Sequence, residues 1–162
     1  MKQVLSLIVT VLSVLSSFAS GEQPLVVSAG QFRHIELGND MKVTLISKSQ
    51  LQNEIKTGSV SVFEKLDIEV SGDHLRLELR RKLDPNEKIY IVVGEIETLA
   101  LGENTVVDSE NVLPGKTIKL SVDKGASAHL KTTANVSAIG ADGLPVQVLT
   151  KKSAVQTEVK AF

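Results

Sequence analysis

Thr117-Ile118-Lys119-Leu120-Ser121-Val122 runs into Asp123-Lys124-Gly125 and then Ala126-Ser127-Ala128-His129-Leu130. Every second residue of the first six is aliphatic, and the residues between are polar. A period of two sends one row of side chains into a dry interior and the other into water, the pattern of a strand with one buried face. Lys124-Gly125 interrupts it with a residue that accepts positive φ, so the chain turns there. The same alternation recurs outward from this stretch. Towards the N-terminus it is carried by Ile35 and Leu37, by Met41, Val43 and Leu45, by Leu66, Ile68 and Val70, and by Leu75, Leu77 and Leu79. Ile89, Ile91 and Val93 and then Leu99 and Leu101 continue it, and Val146–Leu149 and Ala154–Val159 form shorter runs near the C-terminus. Gly38-Asn39-Asp40, Ser71-Gly72-Asp73, Asp84-Pro85-Asn86, Pro114-Gly115 and Asp142-Gly143 supply turn chemistry between them. Helical spacing occurs only in Lys48–Lys56, through Leu51 and Ile55, and one such pair fits a loop equally well. The pattern predicts one all-β domain.

Two all-β architectures fit. Gly102-Glu103-Asn104-Thr105-Val106-Val107 and Gly125-Ala126-Ser127-Ala128-His129-Leu130 each follow an alternating strand, and their glycines stand 23 residues apart. Spacings near twenty residues, with small residues such as Ala126, Ala128, Ala134 and Ala138 for narrow interiors, suit coils stacked in a β-solenoid. Short strands at regular spacing also suit a β-sandwich. The residues leave that choice open.

The first 19 residues read as a secretory signal peptide. Lys2 gives a positive start, Val4–Leu15 is apolar, and Ser17-Phe18-Ala19 offers a small-x-small cleavage pattern ending at Ala19. Cleavage after Gly21 is nearly as well formed. The apolar run falls short of the roughly 20 residues of a membrane span, so residues 20–162 are expected to form the exported domain, with the signal as the chain's one tie to a membrane. Periplasm, outer-membrane surface and secretion to the medium are all open. No cysteine follows the run, or occurs anywhere, so an N-terminal lipid anchor, disulfides, thiolate metal sites and cysteine nucleophiles are excluded.

Without the signal the chain carries 17 basic and 19 acidic residues, a balance that argues against a nucleic-acid partner. Beyond position 18 the rings are Phe32, Phe63, Tyr90 and Phe162, too few for stacking along single strands or sugars. His34, His74 and His129 lie 40 and 55 residues apart, without the short spacing common among metal ligands. Glu103, Asp108 and Glu110, with Asn104 and Asn111 between them, lack the glycine and terminal glutamate of a calcium loop. Arg80-Arg81-Lys82 reads as a solvated strand end, with Arg76, Glu78, Asp67 and Glu69 available for cross-strand pairs. No serine-nucleophile elbow or phosphate loop appears. The expectation is therefore no catalytic residue, no cofactor and no metal.

The order Phe32-x-x-Ile35, Met41-Lys42-Val43-Thr44-Leu45, Leu66-x-Ile68-x-Val70, Leu75-x-Leu77, Ile89-Tyr90-Ile91-Val92-Val93, Leu99-x-Leu101-Gly102, Ile118-x-Leu120 and Gly125-Ala126-Ser127 resembles the GIN domain. This is a bacterial domain of unknown function described as an auto-transporter adhesin head. The resemblance covers about Phe32 to Val159. It implies a right-handed parallel β-helix-like fold and supplies no catalytic residues. Its Gly-Ser-Gly-like corners are reduced here to Gly102-Glu103-Asn104 and Gly125-Ala126-Ser127, with a third corner near Ile139–Asp142 or Lys152–Ala154. Together these readings predict a non-enzymatic, adhesin-like or structural module of the cell envelope. Its partner would be a surface polysaccharide, an extracellular protein or a second copy of itself. The alternative is a carbohydrate-active enzyme, a polysaccharide lyase or hydrolase, on the same scaffold.

Overall fold

In the computed structural model, residues 25–28, 30–48, 52–140, 143, 148–151 and 156–160 are described. The signal segment and the third corner beyond Gly140 lie outside them. The chain forms β1 (Leu25–Ser28), β2 (His34–Leu37), β3 (Lys42–Ser47) and β4 (Glu54–Thr57), then one short helix, α1 (Val60–Glu64). There follow β5 (Leu66–Ser71), β6 (His74–Leu79), β7 (Ile89–Val93), β8 (Thr98–Leu101) and β9 (Val106–Ser109). The last five are β10 (Thr117–Val122), β11 (Ser127–Lys131), β12 (Asn135–Gly140), β13 (Val148–Lys151) and β14 (Gln156–Lys160). They make two mixed sheets. The larger has the order β1-β4-β7-β3-β9-β11-β14-β13 and the smaller β12-β10-β8-β2-β6-β5.

The alternation read from the sequence is what fills the interior. In the smaller sheet, Leu75, Ile35, Leu99, Leu120 and Ala138 stand in register across five parallel strands, and all five are buried. In the larger sheet Ile89, Val43, Val107 and Ala128 form a corresponding row across four parallel strands, and antiparallel Val159 extends it. Each fully buried aliphatic side chain contributes about 1.5–3 kcal/mol, which is how a cysteine-free chain holds together. The alternation weakens at the β5–β6 hairpin, where Ile68, Val70 and Leu79 are only partly buried, because β5 is an edge strand.

Successive passes are tied at their turns. Gly38-Asn39-Asp40 lies against Gly102-Glu103-Asn104, which lies against Asp123-Lys124-Gly125. The Gly102 amide donates to Leu37 O (2.8 Å), that of Asp40 to Glu103 O (2.8 Å), and that of Asn104 to Lys124 O (3.1 Å). Asp40, Asn104 and Gly125 all adopt positive φ, at 57°, 56° and 73°. The repeat is therefore 21 residues long, Leu101 pairing with Val122 and Val107 with Ala128, and not the 23 that separates the two glycines. The repeating feature is the left-handed backbone position, filled by asparagine in one turn and by glycine in the next. Gly102 answers a different need. A Cβ there would sit 2.7 Å from the Gly38 carbonyl carbon.

Of the Lys48–Lys56 stretch, Leu51 lies outside the described residues, and Glu54–Lys56 belong to a strand and not a helix. That strand, β4, pairs antiparallel with β7, and Ile55 is buried opposite Ile91. One apolar pair cannot outweigh a free ladder position beside β7.

Candidate functional site

The outer face of the smaller sheet carries two rows, the first polar throughout and the second polar except at Ala100 and Ile139. One runs Ser71–His74–His34–Thr98–Lys119–Ser137 and the next Glu69–Arg76–Glu36–Ala100–Ser121–Ile139, each in register across six strands. The small Ala100 leaves a depression of about 320 Å³, lined by His34, Glu36, Glu69, Ser71, His74 and Arg76 among others.

At its edge two histidines meet. Parallel pairing of β2 with β6 sets His34 directly beside His74. Their rings stack with centroids 4.4 Å apart and planes 25° from parallel. Asp73, in the turn just before β6, reaches both: its Oδ2 lies 3.4 Å from His34 Nε2 and its Oδ1 3.5 Å from His74 Nε2. One ligand atom from each of the three residues lies within 4.8 Å of the others. On its other side His34 Nδ1 is 2.8 Å from Thr98 Oγ1. Backbone bonds fix the turn, since both Arg33 N (2.9 Å) and His34 N (3.1 Å) donate to Asp73 O. The side chains of His74 and Asp73 are 69% and 57% exposed and that of His34 24%, so the cluster is open to solvent.

A second depression, of about 510 Å³, lies at the far end of the same strands between Gly38-Asn39-Asp40 and Glu78–Lys82. It takes in the basic run Arg80-Arg81-Lys82, of which Arg80 pairs with Asp67 at 2.8 Å.

The sequence pattern of the family described as "Putative auto-transporter adhesin, head GIN domain" matches residues 31–146, well over half of the chain. The chain belongs to the GIN domain family. Two solved structures share its fold at 14% identity. One is a putative adhesin from Parabacteroides distasonis, with a TM-score of 0.56 over 74% of this chain and 55% of that one. The other is a putative adhesin from Bacteroides fragilis, with a TM-score of 0.54 over 74% of this chain and 70% of that one. This chain thus spans about half the length of the Parabacteroides protein. Among individually curated proteins none matches.

In this GIN domain the other residues singled out from sequence are brought together differently. His129 stands on β11 across from Asp108 on β9, with Nδ1 3.0 Å from Oδ1, far along the chain from the His34 cluster and in the other sheet. The oxygen-rich segment around Glu103–Asn111 ties neighbouring turns together. Asn39 Oδ1 accepts from Glu103 N (2.9 Å), Asn104 Nδ2 donates to Asp40 Oδ1 (3.1 Å), and Asn111 clips both the amide and the carbonyl of Ser47. Arg76 is held by Glu78 at 2.6 Å and lies 3.7 Å from Glu36. The Glu78 hydrogen bond, with the charges of Glu78 and Glu36, raises its guanidinium above the ordinary arginine value. Arg33 is raised in the same way, first by its hydrogen bond to Glu97.

Sequence distance was the ground for keeping the histidines apart, and for His34 and His74 the fold removes it. Forty residues of separation become one ladder step. A local signal was present: His34-Ile35-Glu36-Leu37 and His74-Leu75-Arg76-Leu77 are the same four-residue pattern, histidine at the strand start and aliphatics at the second and fourth positions. Aligning those two strands would have set the rings side by side.

Proposed function

We propose that this GIN domain is an exported, non-enzymatic module of the cell envelope that binds an extracellular polymer or protein in the manner of an adhesin head. We further infer that its two sheets are the walls of a β-helix. Four strand pairs, β2–β3, β6–β7, β8–β9 and β10–β11, each lead from the smaller sheet to the larger, and the ladders between them are parallel. A sandwich built from hairpins and Greek keys would be antiparallel throughout, and a right-handed sense follows the general rule for parallel crossovers. Family membership and the two adhesin structures support the role.

The observation that carries the reading is the outer wall of the smaller sheet. Its two six-residue rows offer hydroxyl, imidazole, guanidinium, ammonium and carboxylate groups over a broad surface, suited to recognition by area. The two depressions hold two carboxylates apiece among the described residues, Glu36 and Glu69 in one and Asp40 and Glu78 in the other. Glycoside hydrolysis also uses two carboxylates, but here Arg76 bridges Glu36 and Glu78, which favours binding over the enzymatic alternative. Export rests on the Met1–Ala19 signal pattern.

The test is a glycan and extracellular-matrix array probed with the untagged protein. Saturable binding to at least one polymer or matrix protein is expected. Arg76→Glu or Lys119→Glu, on the outer wall, should weaken it, and Lys42→Glu on the other sheet should not. Failure to bind any arrayed molecule overturns the adhesin reading, and shortening of an arrayed glycan moves the assignment to a carbohydrate-active enzyme.

A further inference from the structure

The cluster at the starting ends of β2 and β6 has a chemistry of its own, independent of the adhesin reading. We propose that His34, Asp73 and His74 form a binding site for a divalent transition-metal ion of the zinc type. Two imidazoles and one carboxylate are the donor set of zinc sites that keep an open position. They suit zinc, nickel or copper, whereas magnesium and calcium select all-oxygen ligands.

The spacing agrees. Ligand bonds of about 2.0–2.2 Å arranged tetrahedrally put neighbouring donor atoms roughly 3.3–3.5 Å apart. Asp73 Oδ2 lies 3.4 Å from His34 Nε2 and Asp73 Oδ1 3.5 Å from His74 Nε2, and one donor atom from each of the three residues lies within 4.8 Å of the others, so small side-chain rotations bring three donors to that spacing. The rings present their Nε2 edges to the same carboxylate because in-register pairing stacks them. Thr98 supplies the outer support. Its Oγ1 lies 2.8 Å from His34 Nδ1, and in the tautomer that places the proton between these two atoms Nε2 carries the free lone pair a metal needs, the way metal-bound histidines are usually oriented. The Arg33 guanidinium, on which the Asp73 charge also acts, is held by Glu97 at 2.9 Å. Three protein ligands leave a fourth position open towards the depression, where Ser71 stands opposite His74, for water or for a donor atom of a bound partner.

The experiment is calorimetric titration of untagged, chelator-treated protein with Zn²⁺, with Co²⁺ absorption as a report on coordination geometry. One equivalent of Zn²⁺ should bind, Mg²⁺ and Ca²⁺ should not, and Co²⁺ should develop the intense visible bands of a four-coordinate site. His74→Ala and Asp73→Asn should abolish the cobalt bands and weaken zinc binding by at least about tenfold. Thr98→Val should weaken it by about 10–100-fold while keeping the ligands. His129→Ala, in the other sheet, should bind as the parent does. His74 and Asp73 are exposed, so circular dichroism should find those variants folded. Absence of saturable zinc binding by the parent overturns the proposal, as does an affinity unchanged in His74→Ala or lost equally in His129→Ala.

Discussion

Single residues decide whether neighbouring turns stay stacked. Thr105 is fully buried, and its hydroxyl donates to Gly38 O (2.6 Å) while accepting from Met41 N (3.1 Å). That one side chain satisfies two backbone groups of a turn 64 to 67 residues earlier. Thr105→Val keeps the shape and leaves both groups unpaired, each costing about 1–3 kcal/mol. A fall of about 2–4 kcal/mol in unfolding free energy is expected by urea denaturation, and a change below 0.5 kcal/mol would show that the turn relaxes around the loss. At this scale the sequence was partly readable. Gly-Asn-Asp chemistry marked the turns, yet the equivalence of Asp40, Asn104 and Gly125 was hidden, because three residue types occupy one left-handed position. The glycines that looked equivalent, Gly102 and Gly125, serve different ends.

Elements are joined to their neighbours by local clamps. Lys65, directly after α1, sends Nζ to Glu87 at 2.8 Å and to Asp84 Oδ2 at 3.2 Å, while its carbonyl accepts from Arg80 N at 2.7 Å. Glu87 also accepts from Asp84 N at 2.6 Å. The loop between β6 and β7 is thus pinned beneath the helix end. The Glu87 hydrogen bond, followed by the bond and charge of Asp84, holds the Lys65 ammonium above its ordinary pKa. A raised folded-state pKa means that the folded chain keeps this proton more tightly than the unfolded chain does. Its stabilising effect is complete below the ordinary lysine value of about 10.4 and is lost as pH climbs past the raised one. Lys65→Met should therefore lower the melting temperature at pH 7, and the gap to the parent should close above that range. A gap that persists at high pH would mean that the aliphatic stem, not the charge, does the holding. The strands themselves were legible, since Ile35, Leu77, Ile91 and Leu120 all face inward as their alternation demands. β4 was not, because its burial depends on a partner strand, β7, that local spacing does not reveal.

The whole molecule depends on the inner rows remaining dry. Leu120 is buried between Leu99 and Ala138, and Leu120→Asp would bury a charge with no cation in its row. The cost, several kcal/mol, rivals the 5–15 kcal/mol by which a domain of this size is stable. No cooperative melting transition is expected by calorimetry, whereas a transition like the parent's would mean that the inner and outer faces are reversed. What the sequence could not convey is strand order. Alternation says which side of a strand is wet, and nothing about which strand lies beside it. The offsets of 40 between His34 and His74, 64 between His34 and Thr98, and 21 between Leu99 and Leu120 follow no single period. The His34 cluster stayed invisible for the same reason.

That irregular order bears on biogenesis. β2 and β3 come early in the chain, yet each lies between two strands made later, β6 and β8 for one and β7 and β9 for the other. A polypeptide emerging N-terminus first cannot wind this body up like thread on a spool. Its earliest layer must wait, with both edges bare, until the stretch reaching Ser109 has come through. Such distant pairings slow folding and lengthen exposure to wrong partners. An escort that shields nascent strand edges would therefore matter most until Ser109 has emerged.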